Sequence, residues 1–219
     1  MARNVREGST IETEKRNVLQ DVTSTMKEVD RQLVLRLTKN PLESVKLTEQ
    51  QWIYGLLGLA SAFVGYLVWS LLIASSINEM INGLFGFGGL GGSSVSTTGA
   101  IMGRLMLIGL VSTFAILAAI YLIGWWRSGA KPQPKAFIAK VGGAYYIGAI
   151  GFLLATLVTF LSGSFGFLVL IITLLSLLVL GLQAGAEATA VPRQALASYL
   201  ILSVASYLVL ISLLLRVLL

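Results

Sequence analysis

FGFLVLIITLLSLLVLGLQ, residues 165–183, decides the fold. It contains no charge, and its only polar side chains are Thr173, Ser176 and Gln183. A hydrocarbon core about 30 Å thick needs about 20 apolar residues in a helix, and this stretch supplies them. Four further stretches of the same kind lie around it, at residues 52–74, 101–126, 137–161 and 195–218. Backbone groups in lipid must be paired within the segment, so each stretch reads as a helix. The expectation is an all-α, polytopic integral membrane protein with five transmembrane helices over residues 51–219. A segment of residues 1–50 precedes them.

Composition agrees with this reading. Hydrophobic residues make up 56% of the 219-residue chain and charged residues only 12%, against about 25% charged in a soluble domain. The mean hydropathy is +0.84. Residues 1–50 contain no apolar core of signal-peptide type, so the first span is the expected targeting signal.

Basic residues set the expected orientation. Arg3, Arg6, Lys15, Arg16, Lys27, Arg31, Arg36, Lys39 and Lys46 precede the first span. Arg127, Lys131, Lys135 and Lys140 follow the second, and Arg193 lies between the fourth and fifth. Only Arg104 and Arg216 fall on the other side, fourteen against two. The positive-inside rule then puts the N-terminus in the cytoplasm and the C-terminus outside. Trp52, Trp125 and Trp126 stand at cytoplasmic span ends, where aromatic belts form. The net charge of +6 does not mark a nucleic-acid binder, because residues 1–50 are nearly neutral. The excess lies in residues 127–140, where Arg127, Lys131, Lys135 and Lys140 meet no anion. These four are candidate contacts for inner-leaflet lipid, at roughly 1 kcal/mol per cation near anionic lipid, or for an acidic protein partner.

Residues 11–37 carry a helical stripe at Val18, Val22, Met26, Val29, Leu33 and Leu37, opposite a face of alternating charge. The stripe either lies on the membrane surface or pairs with a partner helix. Asn40-Pro41 is expected to end it, since the residue before proline avoids the helical region.

The segment GFGGLGG places Gly86, Gly88 and Gly91 at G-x-G-x-x-G spacing. A dinucleotide site needs a preceding strand and an acidic residue about 20 positions on. Here a membrane helix precedes, and no acidic residue occurs between Glu79 and Glu187. Residues 76–100 are expected to form a flexible loop instead, and no cofactor is expected. The chain has no cysteine and no histidine, which removes thiolate and imidazole catalysis and metal ligation. No aspartate lies in any span. An enzyme is therefore not expected.

The spans offer packing groups instead. Gly99–Gly103 and Gly181–Gly185 are G-x-x-x-G pairs, and Gly58–Ala62 is a small-x-x-x-small pair. They serve bundle packing or a homo-oligomer seam. Ser61, Ser112, Thr113, Thr156, Thr159, Ser203 and Ser206 are expected to add interhelical hydrogen bonds. Tyr145, Tyr146, Tyr199 and Tyr207 either line a polar cavity or find ordinary buried partners. The fourth span is expected on the lipid-facing outside of the bundle.

The cytoplasmic N-terminal region, an N-P-x-x-x-V lead-in (Asn40, Pro41, Val45), five spans and a minimal C-terminal tail resemble the Yip family. These five-helix membrane proteins are named for interaction with Ypt/Rab GTPases in eukaryotes and have many bacterial relatives. The resemblance covers roughly residues 38–219. The family's eukaryotic acidic-leucine-x-glycine-proline motif is absent, so no GTPase-binding residue carries over. The resemblance implies a bacterial plasma-membrane protein. The functional expectation is a non-enzymatic membrane adaptor or scaffold, contacting a membrane or cytoplasmic protein or the lipid surface. The alternative is a permease or lipid-handling subunit.

Overall fold

The computed structural model describes residues 30–86 and 98–218, and every regular element among them is helical. The stripe positions Val18, Val22, Met26 and Val29 and the glycine pattern beyond Gly86 lie outside the described residues. The chain enters through α1 (Arg31–Lys39). The Asp30 carboxylate caps it, accepting from the Gln32 N–H at 2.8 Å. Arg36 and Lys39 occupy its last turn, where cations suit the helix dipole. Pro41 follows and opens a 3₁₀ turn, Pro41–Lys46. A second short 3₁₀ turn, Glu49–Gln51, leads into the bundle.

Five helical segments are long and apolar enough to cross a membrane. They are α2 (Trp52–Gly86), α3 (Thr98–Ser128), the pair α4 (Pro134–Ala144) and α5 (Tyr146–Leu161), α6 (Gly163–Ala188), and α7 (Leu196–Leu218). The expected loop over residues 76–100 starts later than its composition suggests, because α2 runs on to Gly86. No proline interrupts that stretch, and the Ser75 and Ser76 hydroxyls donate to the Leu72 carbonyl within the helix. The third span is broken at Tyr145. The Tyr145 N–H donates to the Gly142 carbonyl, and the Gly148 N–H donates to the Tyr145 carbonyl, at 2.9 and 2.8 Å. These are i→i+3 bonds, a tightened turn that glycines permit without proline. Ser162 alone joins α5 to α6, so spans three and four form a tight hairpin.

Spans one, three and four make a close trio with the broken span at its centre, and spans two and five pair beside it. The trio is held by backbone contact. A Cβ on Gly55 would collide with the Ile138 carbonyl, one on Gly58 with the Gly142 carbonyl, and one on Gly142 with the Gly55 carbonyl. One helix thus lies directly on the other, as small residues allow in lipid. The expectation that the fourth span faces lipid is corrected here. Leu170, Thr173, Leu177, Gly181, Leu182, Ala184, Gly185 and Ala186 on α6 are buried, and α7 is the least buried of the five spans. Aliphatic content does not mark the outside when lipid and protein interior are equally apolar.

The glycine pairs divide. Gly58 and Ala62 are buried in the trio, and Gly181 and Gly185 receive Tyr145, Ile120 and Tyr199. Gly99 and Gly103 meet nothing within 4 Å of an added Cβ. Gly103→Ala should therefore gain helix propensity, about 1 kcal/mol, with no collision to offset it. Its unfolding midpoint in mixed detergent is expected at or above wild type. A lower midpoint would mean that the glycine pair packs against a second copy.

Candidate functional site

Where trio and pair meet, side chains leave a cavity of about 340 Å³. Every span contributes to it, through Tyr66 and Phe63 of α2, Gly109, Ser112 and Thr113 of α3, Tyr145 of the broken span, Leu174, Leu175, Leu177 and Leu178 of α6 and Tyr207 of α7. Tyr66, Ser112 and Leu174 fall near the middle of their spans, so the cavity sits at mid-depth. Leu174 and Leu175 also belong to the outer surface, which brings the cavity to the lipid-facing side at α6.

Four of the five hydroxyls that line it are bonded to protein, and among the described residues the fifth, on Tyr145, makes no hydrogen bond. The Tyr66 hydroxyl donates to the Leu105 carbonyl at 2.9 Å, crossing from α2 to α3. Gly109 makes room for that crossing, since a Cβ there would strike the Tyr66 ring. Ser112 Oγ and Tyr207 Oη lie 2.7 Å apart and join α3 to α7. Thr113 donates to the Gly109 carbonyl at 2.8 Å. Tyr66 packs edge-on against Phe152, with ring centroids 5.6 Å apart. With most of its hydroxyls engaged, the wall presents mainly carbon. An engineered apolar cavity of about 150 Å³ stays dry and takes up benzene. This one is larger and falls in the about 300–1,000 Å³ range of ligand pockets.

Of the four tyrosines singled out from the sequence, Tyr145 and Tyr207 reach the cavity. Tyr199 donates instead to the Leu182 carbonyl at 3.3 Å. The Tyr146 hydroxyl is buried without a partner, beside Leu37 and Leu47. The expected interhelical bonds are mostly corrected. Ser61 donates to Gly58, Thr113 to Gly109, Thr156 to Phe152 and Thr159 to Ala155, all within their own helices. A short hydroxyl reaches the carbonyl three or four residues back more easily than a neighbouring helix. Ser112 is the exception, and Ser203 Oγ is buried with no partner. Tyr66 and Gly109 escaped the sequence reading. Their signal was a tyrosine in mid-span, and glycine opposite it became meaningful only once α2 met α3.

The four cations do not converge. Arg127 Nη2 donates to Ser198 Oγ, joining the end of α3 to the start of α7. Its guanidinium carbon lies 5.6 Å from the Trp126 ring centroid. Lys135 Nζ lies 6.0 Å from the Trp52 ring centroid, at the start of α2. Lys131 is exposed and Lys140 is half-buried on α4. Leu33, the described part of the candidate contact stripe, packs inward against the cluster of Leu37, Leu47, Ile53, Tyr54, Ala139 and Tyr146. The Asp30 N–H donates to the Tyr54 hydroxyl at 2.9 Å. Ser44 Cβ and Leu47 Cδ1 both come within 2.9 Å of a Cβ placed on Gly143. The lead-in is thus a layer of the bundle, seated well inside the first end of the third span. Comparison with family models, with curated proteins and with solved structures finds no match for this chain.

Proposed function

We propose that this chain is a non-catalytic multi-pass membrane protein that holds an apolar, lipid-derived guest in its mid-depth cavity. The cavity between trio and pair carries the reading: all of its hydroxyls but that of Tyr145 are tied to protein partners, so an apolar chain meets little unmatched polarity there. Its approach to the lipid-facing surface at Leu174 and Leu175 supports entry from the bilayer. The basic end, with Arg127, Lys131, Lys135 and Arg193, supports an orientation toward the cytoplasm, in a bacterial plasma membrane. The five spans and the Asn40-Pro41 lead-in support a Yip-type architecture.

The test is mass spectrometry of what stays bound after gentle extraction. Wild type and Ser112→Ala, which leaves the cavity open, should retain an apolar guest. Ser112→Trp fills the cavity and should lower retention at least about tenfold, equivalent to about 1.4 kcal/mol. Equal retention by Ser112→Trp overturns the proposal. A second reading, the adaptor, rests on Leu35 and Leu42, which are 57% and 49% exposed on the N-terminal layer. A protein recovered in near-stoichiometric amount without a lipid would favour it.

A further inference from the structure

The strongest unassigned feature lies away from the mid-depth cavity, on the outer seam of α3 and α7. Ala119, Leu122 and Ile123 of α3 and Ala205, Ser206 and Val209 of α7 form an open groove of about 400 Å³. Small side chains at 119, 205 and 206 make its floor, with Leu122 and Val209 exposed beside it. At its basic end stands Arg127.

We infer that this seam is a binding site for one acidic phospholipid, its phosphate on Arg127 and one acyl chain in the groove. Dimensions, charge and aromatic placement argue for that occupant. At 1.5 Å per helical residue, Ala119 lies about 12 Å deeper than Arg127, and Val209 about 16 Å deeper than Ser198. The groove therefore ends about where one leaflet's chains end, at half of a roughly 30 Å core. The guanidinium is left with capacity to bind an anion. Nη2 donates to Ser198 Oγ and Nε is buried without a partner, so the free donors are Nη1 and the second N–H of Nη2, and among the described residues no carboxylate pairs with it. Arginine presents donors in a planar fork that matches two phosphate oxygens. Trp126 is 67% exposed and Trp125 42% exposed at the same level, where indoles sit among headgroups. A zwitterionic lipid offers the phosphate but brings its own cation. The site should therefore discriminate.

The inference does not depend on the guest of the inner cavity, and the variants separate the two. The full-length protein, delipidated in detergent, is mixed with phosphatidylglycerol or phosphatidylcholine, and bound copies are counted by native mass spectrometry. Wild type should retain one phosphatidylglycerol, with phosphatidylcholine about fivefold weaker, the worth of one cation near an anionic lipid. Arg127→Gln should erase that preference, and Ala205→Leu should lower retention of both lipids by obstructing the groove. Ser198→Ala breaks the α3–α7 link but leaves the cation, so it should keep the preference, as should Ser112→Trp. Equal retention of the two lipids by wild type overturns the inference. So does an undiminished preference in Arg127→Gln, or its loss in Ser198→Ala as complete as in Arg127→Gln.

Discussion

Gly142→Val is expected to remove the folded bundle almost entirely. The position has no room for any side chain. A Cβ there would meet the carbonyl oxygen, carbonyl carbon and Cα of Gly55, all backbone atoms that no rotamer change can clear. The helices must separate, and α4 belongs to the central span of the trio. Separation there also loosens Gly58 against Gly142 and Gly65 against Ala149, where an added Cβ would stand 3.0 Å from the carbonyl oxygen. Overpacking typically costs about 1–3 kcal/mol and occasionally more. A collision between two backbones at the centre belongs at the upper end or beyond. Total stabilities run to only about 5–15 kcal/mol. Monodisperse protein after extraction should fall sharply for Gly142→Val, and Gly142→Ala should lower the unfolding midpoint in the same direction. A wild-type midpoint for Gly142→Ala would show that α2 and α4 do not lie in backbone contact.

That expectation could not be drawn from the sequence, and the reason is physical. Hydropathy identifies spans because the bilayer demands length and apolarity, and all five spans were legible on those grounds. It does not say which face of a span is interior, since lipid and protein core are both apolar. Residues 165–183 look the most lipid-like of all, yet α6 is a packed member of the trio. Glycine is the better signal of close approach, but it becomes decisive only with its partner. Gly99 and Gly103 resemble Gly55 and Gly58 in sequence, and differ because only the latter face Ile138 and Gly142. The break at Tyr145 lies in Gly142-Gly143-Ala144-Tyr145-Tyr146, a pattern equally compatible with a straight helix. The cavity is less legible still. Tyr66, Ser112 and Tyr207 are distant in sequence and meet only after spans two and five dock against the trio. Arg127 was legible as one cation of a basic stretch; its bond to Ser198 and the groove beside it were not.

Leu37→Asp is expected to release the N-terminal layer from the bundle while the five spans stay assembled. Leu37 is fully buried among Leu47, Ile53, Tyr54, Ala139 and Tyr146. Truncating a buried leucine costs about 2–5 kcal/mol. A carboxylate adds the penalty of an unpaired charge at an apolar site. α1 has only nine residues, too few to persist alone in water, so it should unfold as it detaches. Trypsin should then cut at Arg31, Arg36 or Lys39, sites that the docked helix withholds, and amide exchange over residues 31–47 should accelerate at least about 30-fold, the equivalent of about 2 kcal/mol. Leu35→Asp, on the exposed face of the same helix, should change neither readout. The pair of variants decides what the apolar stripe is for. If Leu37→Asp leaves exchange and cleavage unchanged, the stripe's inner face is not seated on the third span and is available to membrane or partner. If it releases the layer, Leu33 and Leu37 belong to the bundle, and the chain upstream of Asp30 starts from a fixed point beside Tyr54. Any surface offered to a partner would then lie on the opposite face, at Leu35 and Leu42.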